Sequence, residues 1–404
     1  MFRRIYLCAA LLLLGASNPV FAQHEHHAPS PSSTWTVMQD GVVFVVYNNQ
    51  GGPRGGDEVI VPNWWMGMWS RKVGSSSLTI STMFSLDAAT VGKRGYREIF
   101  QVGEAVDGEP LIDRQHPHDL FMQLAGIWRT PLNERTGLTI AGGPAGEPAL
   151  GPVAFMHRAS AAENPFAPLG HHTLDSTHIA FGVVTAAVDH GRWVIEGSVF
   201  NGREPDEDRW DFDFGKMDSV SGRVWFKPTA EWELQVSTGH LVEPEELSDG
   251  NIQRTTASAS WMKSRGSSFT AVTAGWGVND AHDTLRHAVF AEATSKMGRT
   301  TIFGRAEVVQ VETELLIDGH SHGHDEAPLK DPVGAFTIGG VRDLPPWRGF
   351  EGGFGGALTF YAVPQALRST HGEHPVSFQI FFRLRPPVGA MGRMWNMRMS
   401  QPHR

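Results

Sequence analysis

Apolar and polar side chains alternate with a period of two in many short segments of this chain. From Val376 to Arg385, apolar residues at every second position alternate with mostly polar ones. The same alternation occurs at 78–86, 219–226 and 231–241. Successive side chains of a β-strand point to opposite faces of the sheet. Each segment therefore predicts a strand with one apolar face and one polar face.

The length and spacing of these segments favour a membrane barrel over a soluble sandwich. Each is about ten residues long, the length that a tilted strand needs to cross a bilayer. Aromatic residues such as Trp64, Trp128, Trp193 and Trp232 lie near segment ends, as expected at a membrane–water boundary. Short turns alternate with longer polar loops between Trp35 and Arg385. We therefore expect an all-β fold, a single antiparallel transmembrane β-barrel of about 16 strands, within a range of about 14–18.

A barrel of this size is wide enough to enclose an aqueous lumen. Charged residues fall on the faces predicted to point inward, where water can solvate them. The predicted lumen-lining residues are Arg223, Glu231, Glu233, Glu292, Arg305, Glu307, Arg383 and Arg385. Two long connections, at 88–115 and 143–176, are candidates to fold into the lumen and plug it. Residues 96–103 are assigned to the first of these loops rather than to a strand.

The two ends of the chain differ in composition from the barrel. Residues 1–22 combine Arg3 and Arg4, a short apolar core and small residues before Gln23, which predicts a cleaved signal peptide. Residues 23–34 form a histidine-containing N-terminal segment. Residues 35–385 make up the barrel, and residues 386–404 form a methionine-containing tail predicted to lie in the periplasm, where both termini are expected.

Composition narrows the function classes. Charged residues amount to only 19%, hydrophobic residues to 41%, and no segment reaches the 18 apolar residues of a membrane-spanning helix. This balance suits strands that present only every second side chain to lipid. The net charge of −9 argues against nucleic acid as a partner. Cys8, the only cysteine, lies in the predicted signal peptide, so the mature chain offers no thiol to a metal ion.

Histidine and methionine are the residues that suggest chemistry. The 19 histidines include several clusters in predicted loops, and the C-terminal tail carries regularly spaced methionines. Imidazole suits Cu(II), Zn and Ni, and thioether sulfur suits Cu(I). No metal is required by the sequence, but copper and zinc are the ions these side chains fit. The candidate metal ligands are His116, His118, His157, His171, His172, His320, His322, His324, Met391, Met394 and Met397.

Each of these sets has a plainer interpretation. The loop histidines can instead hydrogen-bond loop backbone at the mouth of the barrel, and the methionines can belong to a short periplasmic helix. An acidic loop, which is more often a solvated surface than a cation site, is formed by Asp206, Glu207, Asp208, Asp211 and Asp213. Ser176 and His178 are close in sequence, but their spacing alone does not give a nucleophile–base pair.

The chain resembles bacterial outer-membrane barrel proteins of the porin type over the whole alternating stretch. In addition, 113–119 (DRQHPHD) and 170–178 are similar to an uncharacterised proteobacterial outer-membrane family loosely linked to copper resistance. The resemblance implies a location in the bacterial outer membrane. It also implies contact with outer-membrane lipid and insertion by the outer-membrane assembly machinery. An oligomer is compatible with it, since many porins are trimers.

We therefore expect a passive outer-membrane channel or binding barrel for small solutes, linked to copper or other metal-ion handling, and no enzyme activity. Two alternatives remain open at this point. One is a plugged metal-binding barrel without an open pore. The other is an outer-membrane enzyme that modifies lipid.

Overall fold

The structure is a computed structural model and describes residues 33–102, 104–245, 250–281, 284–318, 329–387 and 398–399. The predicted signal peptide at 1–22 and nearly all of the segment at 23–34 lie outside the described residues. So do His320, His322 and His324, and the tail residues Met391, Met394 and Met397.

Sixteen antiparallel strands form one closed barrel within the described residues, which confirms the predicted fold and strand number. The second strand, β2, has two segments separated at Val61 and Pro62. The strands are β1 Thr36–Gln50, β2 Gly56–Ile60 with Asn63–Val73, β3 Ser76–Phe84, β4 Phe121–Pro131, β5 Thr136–Gly146, β6 Ala180–His190, β7 Trp193–Phe200, β8 Ser219–Phe226, β9 Trp232–Leu241, β10 Ile252–Arg265, β11 Ser268–Ala281, β12 Thr284–Met297, β13 Thr300–Glu312, β14 Lys330–Asp343, β15 Glu351–Ala362 and β16 Val376–Arg385.

The first strand closes the barrel because it pairs on both sides. On one side it pairs with both segments of β2, so that Met38 lies opposite Met68 and Val46 lies opposite Ile60. Its C-terminal half pairs with β16, where Val45 lies opposite Phe382. Strands β2 to β15 each pair with the strands before and after them in the chain. A closed ladder leaves no sheet edge, which is the condition for a β-structure to sit in hydrocarbon.

The alternation in sequence becomes an outer and an inner surface. On β16, Ile380 is 60% exposed on the outside of the barrel, whereas its neighbours Gln379 and Phe381 are buried inside. On β9, Val236 is 58% exposed and Gln235 is buried. Trp64 is an exception to the predicted aromatic boundary, because it faces inward and packs against His157 with ring centres 5.2 Å apart.

Two long loops enter the barrel instead of standing outside it. The first inserted loop, residues 85–120, contains α1 (Asp87–Thr90) and two small antiparallel pairs, one of which joins Tyr96–Arg97 to Arg114–Gln115. Residues 96–97 are therefore not a barrel strand, as predicted. The second inserted loop, residues 147–179, contains 3-10 turns and α2 (His171–Leu174), and nearly all of it is buried.

The remaining helices cap the other long connections. α3 (Thr313–Asp318) follows β13, and α4 (Arg368–His371) lies between β15 and β16. Among the described residues, helices stay too short and too polar to span a bilayer. The connection from β1 to β2 is short, because β1 runs to Gln50 and β2 begins at Gly56.

Candidate metal site in the lumen

The second inserted loop crosses the lumen and is fixed to distant parts of the wall. The backbone N–H of Ala149 donates to Ser198 Oγ on β7 at 2.7 Å. The N–H of Leu169 donates to Glu307 Oε2 on β13 at 2.7 Å. On β16, Arg383 donates to Glu163 of the loop at 2.6 Å. The loop is therefore part of the folded interior and not a surface appendage.

A buried ion-pair network joins this loop to the barrel wall. Arg158 of the loop donates to Glu292 on β12 at 2.6 Å and to Asp175 of the same loop at 2.7 Å. Arg305 on β13 donates to the other oxygen of Glu292 at 3.2 Å. Because buried charges are costly unless they are paired and hydrogen-bonded, these contacts hold the loop in one position.

Most of the predicted lumen-lining residues point inward, and most of them contact the inserted loop. Arg223 on β8 pairs with Glu147 of the loop at 3.0 Å. Arg385 donates to the carbonyl oxygen of Ala162. Glu233 faces inward beside Lys227 at 2.6 Å. The full inward set is Arg223, Glu233, Glu292, Arg305, Glu307, Arg383 and Arg385.

Glu231 differs from this prediction. β9 begins at Trp232, so Glu231 falls in the preceding turn and is exposed to water. The hydroxyl of Thr229 donates to its carboxylate at 2.8 Å. The alternation of apolar and polar residues continues for one residue before the strand begins, so it assigned Glu231 to a face that this residue does not have.

Five histidines converge where the two inserted loops meet. His116 and His118 come from the first loop, and His171, His172 and His178 come from the second. Within the second loop, the ring centre of His171 lies 5.4 Å from that of His172 and 5.4 Å from that of His178. Between the two loops, the ring centres of His116 and His172 are 5.5 Å apart, those of His118 and His178 are 6.0 Å apart, and those of His116 and His171 are 6.1 Å apart. We call this group the five-histidine cluster.

The Nδ1 atom of every ring in the cluster is already engaged. His118 contacts Asp87 at 2.9 Å, His171 contacts Asp175 at 2.7 Å, and His172 contacts Glu204 at 3.0 Å. His116 contacts Glu104 at 3.1 Å, and His178 contacts the carbonyl oxygen of Asp175 at 2.7 Å. An acceptor at Nδ1 fixes the tautomer that carries hydrogen there and leaves the Nε2 lone pair available. Histidines that bind metal ions are oriented in this way.

Three of the opposite ring nitrogens are buried without a hydrogen-bond partner. These are the Nε2 atoms of His116, His171 and His178. Buried polar atoms in folded proteins are nearly always satisfied, so three in one cluster call for an explanation. A shared ligand with an empty orbital, such as a transition-metal ion, would satisfy all three lone pairs.

The protonation state of the cluster is also the one that a metal site requires. Burial lowers the pKa of His116 and of His171, and it lowers the pKa of His178 to about 3. Burial also acts on His172, but the Glu204 carboxylate outweighs it and raises the pKa of that ring. Most of the cluster is therefore neutral at pH 7, and neutral imidazole is the form that binds metal.

The cluster is slightly wider than a metal-bound set of imidazoles. Two imidazoles bound to one ion at ~2.1 Å would have ring centres about 5 Å apart. Within the described ranges, three ligand atoms lying within 4.8 Å of one another occur only at Asp206, Asp211 and Asp213, an acidic group on an outer loop. Nitrogens bound to one ion at ~2.1 Å lie roughly 3.4 Å apart, so at least one pair of ligand nitrogens in the cluster must move closer by more than about 1 Å when an ion binds.

The structure separates His157 from the other predicted ligands. It lies in the 3-10 turn Phe155–His157, against Trp64, and lines a different cavity. Two residues of the tail also lie elsewhere than predicted. Arg398 and Met399 are buried in the lumen rather than in the periplasm, with Arg398 stacked on Trp225 at 3.8 Å.

The carboxylates that orient the histidines were not identified from the sequence. Asp87, Glu104 and Glu204 lie 12 to 32 residues from their imidazoles or in another loop, so no local spacing relates them. Asp175 is the exception, because it lies four residues after His171.

The described residues give no support to a lipid-modifying site. Ser176 Oγ accepts a hydrogen bond from Arg254 at 3.0 Å, and His178 Nδ1 contacts backbone. The two side chains thus have other partners than each other. The lipid-modifying alternative remains without a structural observation in its favour.

No protein-family model matches the chain, and no curated protein matches it. Solved structures do match in fold. They include an anion-selective porin from Comamonas acidovorans (9% identity, 87% of this chain and 100% of that chain, TM-score 0.54). OprB of Pseudomonas putida is also similar (9% identity, 88% of this chain and 94% of that chain, TM-score 0.54). So is a loop-deletion form of OmpT, an outer membrane protein of Vibrio cholerae (9% identity, 87% of this chain and 99% of that chain, TM-score 0.52). These similarities show a common fold. With its closed ladder and apolar outer surface, the chain is an outer-membrane β-barrel.

Proposed function

We propose that this barrel binds a divalent transition-metal ion in its lumen, at the five-histidine cluster. The observation that supports the proposal is the group of three buried, unpartnered Nε2 atoms on His116, His171 and His178. Zn(II), Cu(II) and Ni(II) are the ions that imidazole nitrogen suits. An outer-membrane barrel has no energy source of its own, so entry of the ion would be passive.

The side of the membrane follows from the loops. The two inserted loops belong to the set of longer connections, and long loops face the cell exterior in bacterial barrels. The cluster would therefore take its ion from the medium. We propose in addition that small solutes pass through the part of the lumen that the inserted loops do not fill, because a barrel of 16 strands has the width of a porin.

Binding can be tested by titrating the mature protein in detergent with Zn(II) and Ni(II). The variant His116→Gln/His171→Gln removes two of the three free nitrogens and should lower the affinity at least tenfold. The matched control is His190→Gln/His240→Gln, which changes two histidines that are exposed on the barrel. Equal affinities of the wild type and the first variant would overturn the proposal.

A separate variant must exclude the loop at 313–332. In His320→Ala/His322→Ala/His324→Ala the lumen cluster is intact, so the tight site should persist. If this variant instead lost the tight site, binding would belong to that loop and not to the five-histidine cluster.

Single-channel recording in planar bilayers separates a channel from a plugged barrel. Discrete conductance steps in wild-type protein would support solute passage around the inserted loops. If no steps are observed, the passage part of the proposal is wrong, and the protein is a closed binding barrel.

A further inference from the structure

Methionine side chains meet inside the barrel on the wall formed by β2, β3 and β4. Met66 and Met68 point inward from β2, Met83 from β3 and Met122 from β4, and all four are nearly inaccessible to solvent. In the strand pairing, Met66 lies directly opposite Met83. Side chains of such partners lie about 5 Å apart at Cβ, so these two thioethers are neighbours.

These methionines line one cavity, which we call the methionine cavity. Met399 of the tail completes the set, and His157 and His178 are also part of the lining. The cavity has a volume of about 30 Å³, room for one or two waters and hence for a bare metal ion. His178 also lines the space beside the five-histidine cluster, so the two sites adjoin.

The choice of residues is not explained by core filling. Five of the chain's 14 methionines line this cavity, whereas Ile127 is its only large aliphatic side chain. Elsewhere the inner wall mixes charged side chains such as Glu292 and Arg383 with phenylalanines such as Phe290 and Phe381, and no other part of it collects methionines in this way among the described residues. A wall that only needed apolar volume could use leucine, isoleucine or valine, which pack in more defined rotamers.

The donor set matches soft monovalent ions. Thioether sulfur selects Cu(I). Ag(I) has the same charge and the same closed d10 shell, and it serves as a redox-stable substitute. The Nε2 of His178 is already assigned to the five-histidine cluster, so the thioether sulfurs are the donors at this second site.

Two charged side chains border the cavity, and both are engaged elsewhere. Arg398 stacks on Trp225 at 3.8 Å and pairs with Glu233 at 3.6 Å. Glu147 pairs with Arg223 at 3.0 Å. Their charges are therefore partly neutralised outside the methionine set, and the thioethers present a nearly neutral surface to an ion.

We propose that the methionine cavity is a second metal site, specific for a soft monovalent ion, Cu(I) or Ag(I). It goes beyond the divalent site proposed above and relies on different side chains, with His178 as the only residue that lies at both. A chain with both sites could hold copper in either of its common oxidation states.

Ag(I) titration of the mature protein in detergent tests this site without a reductant. The variant Met66→Leu/Met68→Leu/Met83→Leu should lose at least tenfold in Ag(I) affinity and keep its Zn(II) affinity. Leucine conserves the volume of methionine, so the barrel should fold. The control Met262→Leu/Met297→Leu changes one buried and one exposed methionine away from the cavity and should bind Ag(I) as the wild type does.

Equal Ag(I) affinity of the wild type and the triple variant would overturn the proposal. X-ray absorption of the Ag(I)-loaded protein gives a second readout that does not depend on folding of a variant. Sulfur neighbours are expected, and a shell of nitrogen and oxygen alone would also overturn it. The two proposals fail separately, because His116→Gln/His171→Gln should lose Zn(II) and retain Ag(I).

Discussion

At the scale of single residues, the orientation of each imidazole in the histidine cluster depends on the acceptor of its Nδ1–H group. Five imidazoles point their Nδ1 atoms at carboxylates or backbone carbonyl groups. This arrangement fixes the rings before any ligand arrives, which reduces the free energy that binding must spend on ordering them. The carboxylates are therefore as much a part of the candidate site as the histidines.

Replacing one orienting carboxylate should weaken metal binding without removing a ligand. In Glu204→Gln, the acceptor for His172 loses its charge, so the ring is held less firmly and becomes less basic. Loss of such a partner typically costs 10- to 100-fold in metal affinity, and we expect about tenfold, measured by Zn(II) calorimetry in detergent. Glu207→Gln is the control, because Glu207 pairs with exposed Lys93 and not with a histidine. If both variants bind alike, Glu204 has no orienting role.

The buried histidines should also make the barrel sensitive to acid. Burial lowers the pKa of His178 from 6.5 to about 3. Between these values the unfolded chain takes up a proton that the folded protein excludes, so stability falls as the pH decreases through this window and does not change above it.

In metal-free protein, acidification from pH 7 to pH 5 should destabilise the wild type by about 2 kcal/mol more than His178→Gln. Urea unfolding in detergent, followed by tryptophan fluorescence at both pH values, measures the difference. Parallel losses in the two proteins would show that His178 does not cause the effect.

At the scale of elements, the strands are defined by the difference between their two faces. Lipid replaces water outside, while loops and charged side chains fill the inside. Glu231 shows that alternation predicts the face of a residue only within the strand, because this residue lies in the turn before β9. Trp64 shows that an aromatic residue near a strand end can face the lumen, where an inserted loop packs against it.

A charge on the lipid face should be costly in proportion to its depth. Ile380 lies in the middle of β16 and points outward, whereas Val376 is the first residue of the same strand and points the same way. We expect Ile380→Arg to lower the free energy of unfolding by about 2–4 kcal/mol and Val376→Arg by about 0–1 kcal/mol.

Reversible unfolding in detergent or lipid vesicles measures both variants, with the wild type as reference. Equal effects at the two positions would contradict a membrane-embedded centre for this strand.

At the scale of the whole molecule, the inserted loops determine what the barrel can do. An empty cylinder of 16 strands would be an open pore. Here the second inserted loop crosses it and is held by Arg158, which joins Asp175 of the loop to Glu292 of the wall.

Removing this guanidinium should release the loop. Arg158→Met leaves Glu292 with only Arg305 and Asp175 with only His171 as an ion-pair partner among the described residues, and breaking a buried pair in this way costs about 3–5 kcal/mol. We expect larger single-channel conductance and faster proteolysis of the loop than in the wild type. Arg368→Met removes an exposed pair with Glu373 and should change neither. Unchanged conductance and proteolysis in Arg158→Met would show that the loop is held by other contacts.

The sequence by itself determined the barrel, because lipid outside and polar groups inside impose a period of two that no tertiary contact can alter. The strand number followed from the alternation of short turns and long loops. The sequence also identified His116, His118, His171 and His172 as candidate metal ligands, because they are clustered histidines in predicted loops.

Only the tertiary structure decided which of these side chains meet. Convergence of the five histidines depends on two loops, separated by the hairpin of β4 and β5, folding into one lumen. Inward methionines on three strands become a cavity only through their register, such as Met66 opposite Met83. Contacts of this kind join residues far apart in the chain, and alternation within a strand carries no information about them.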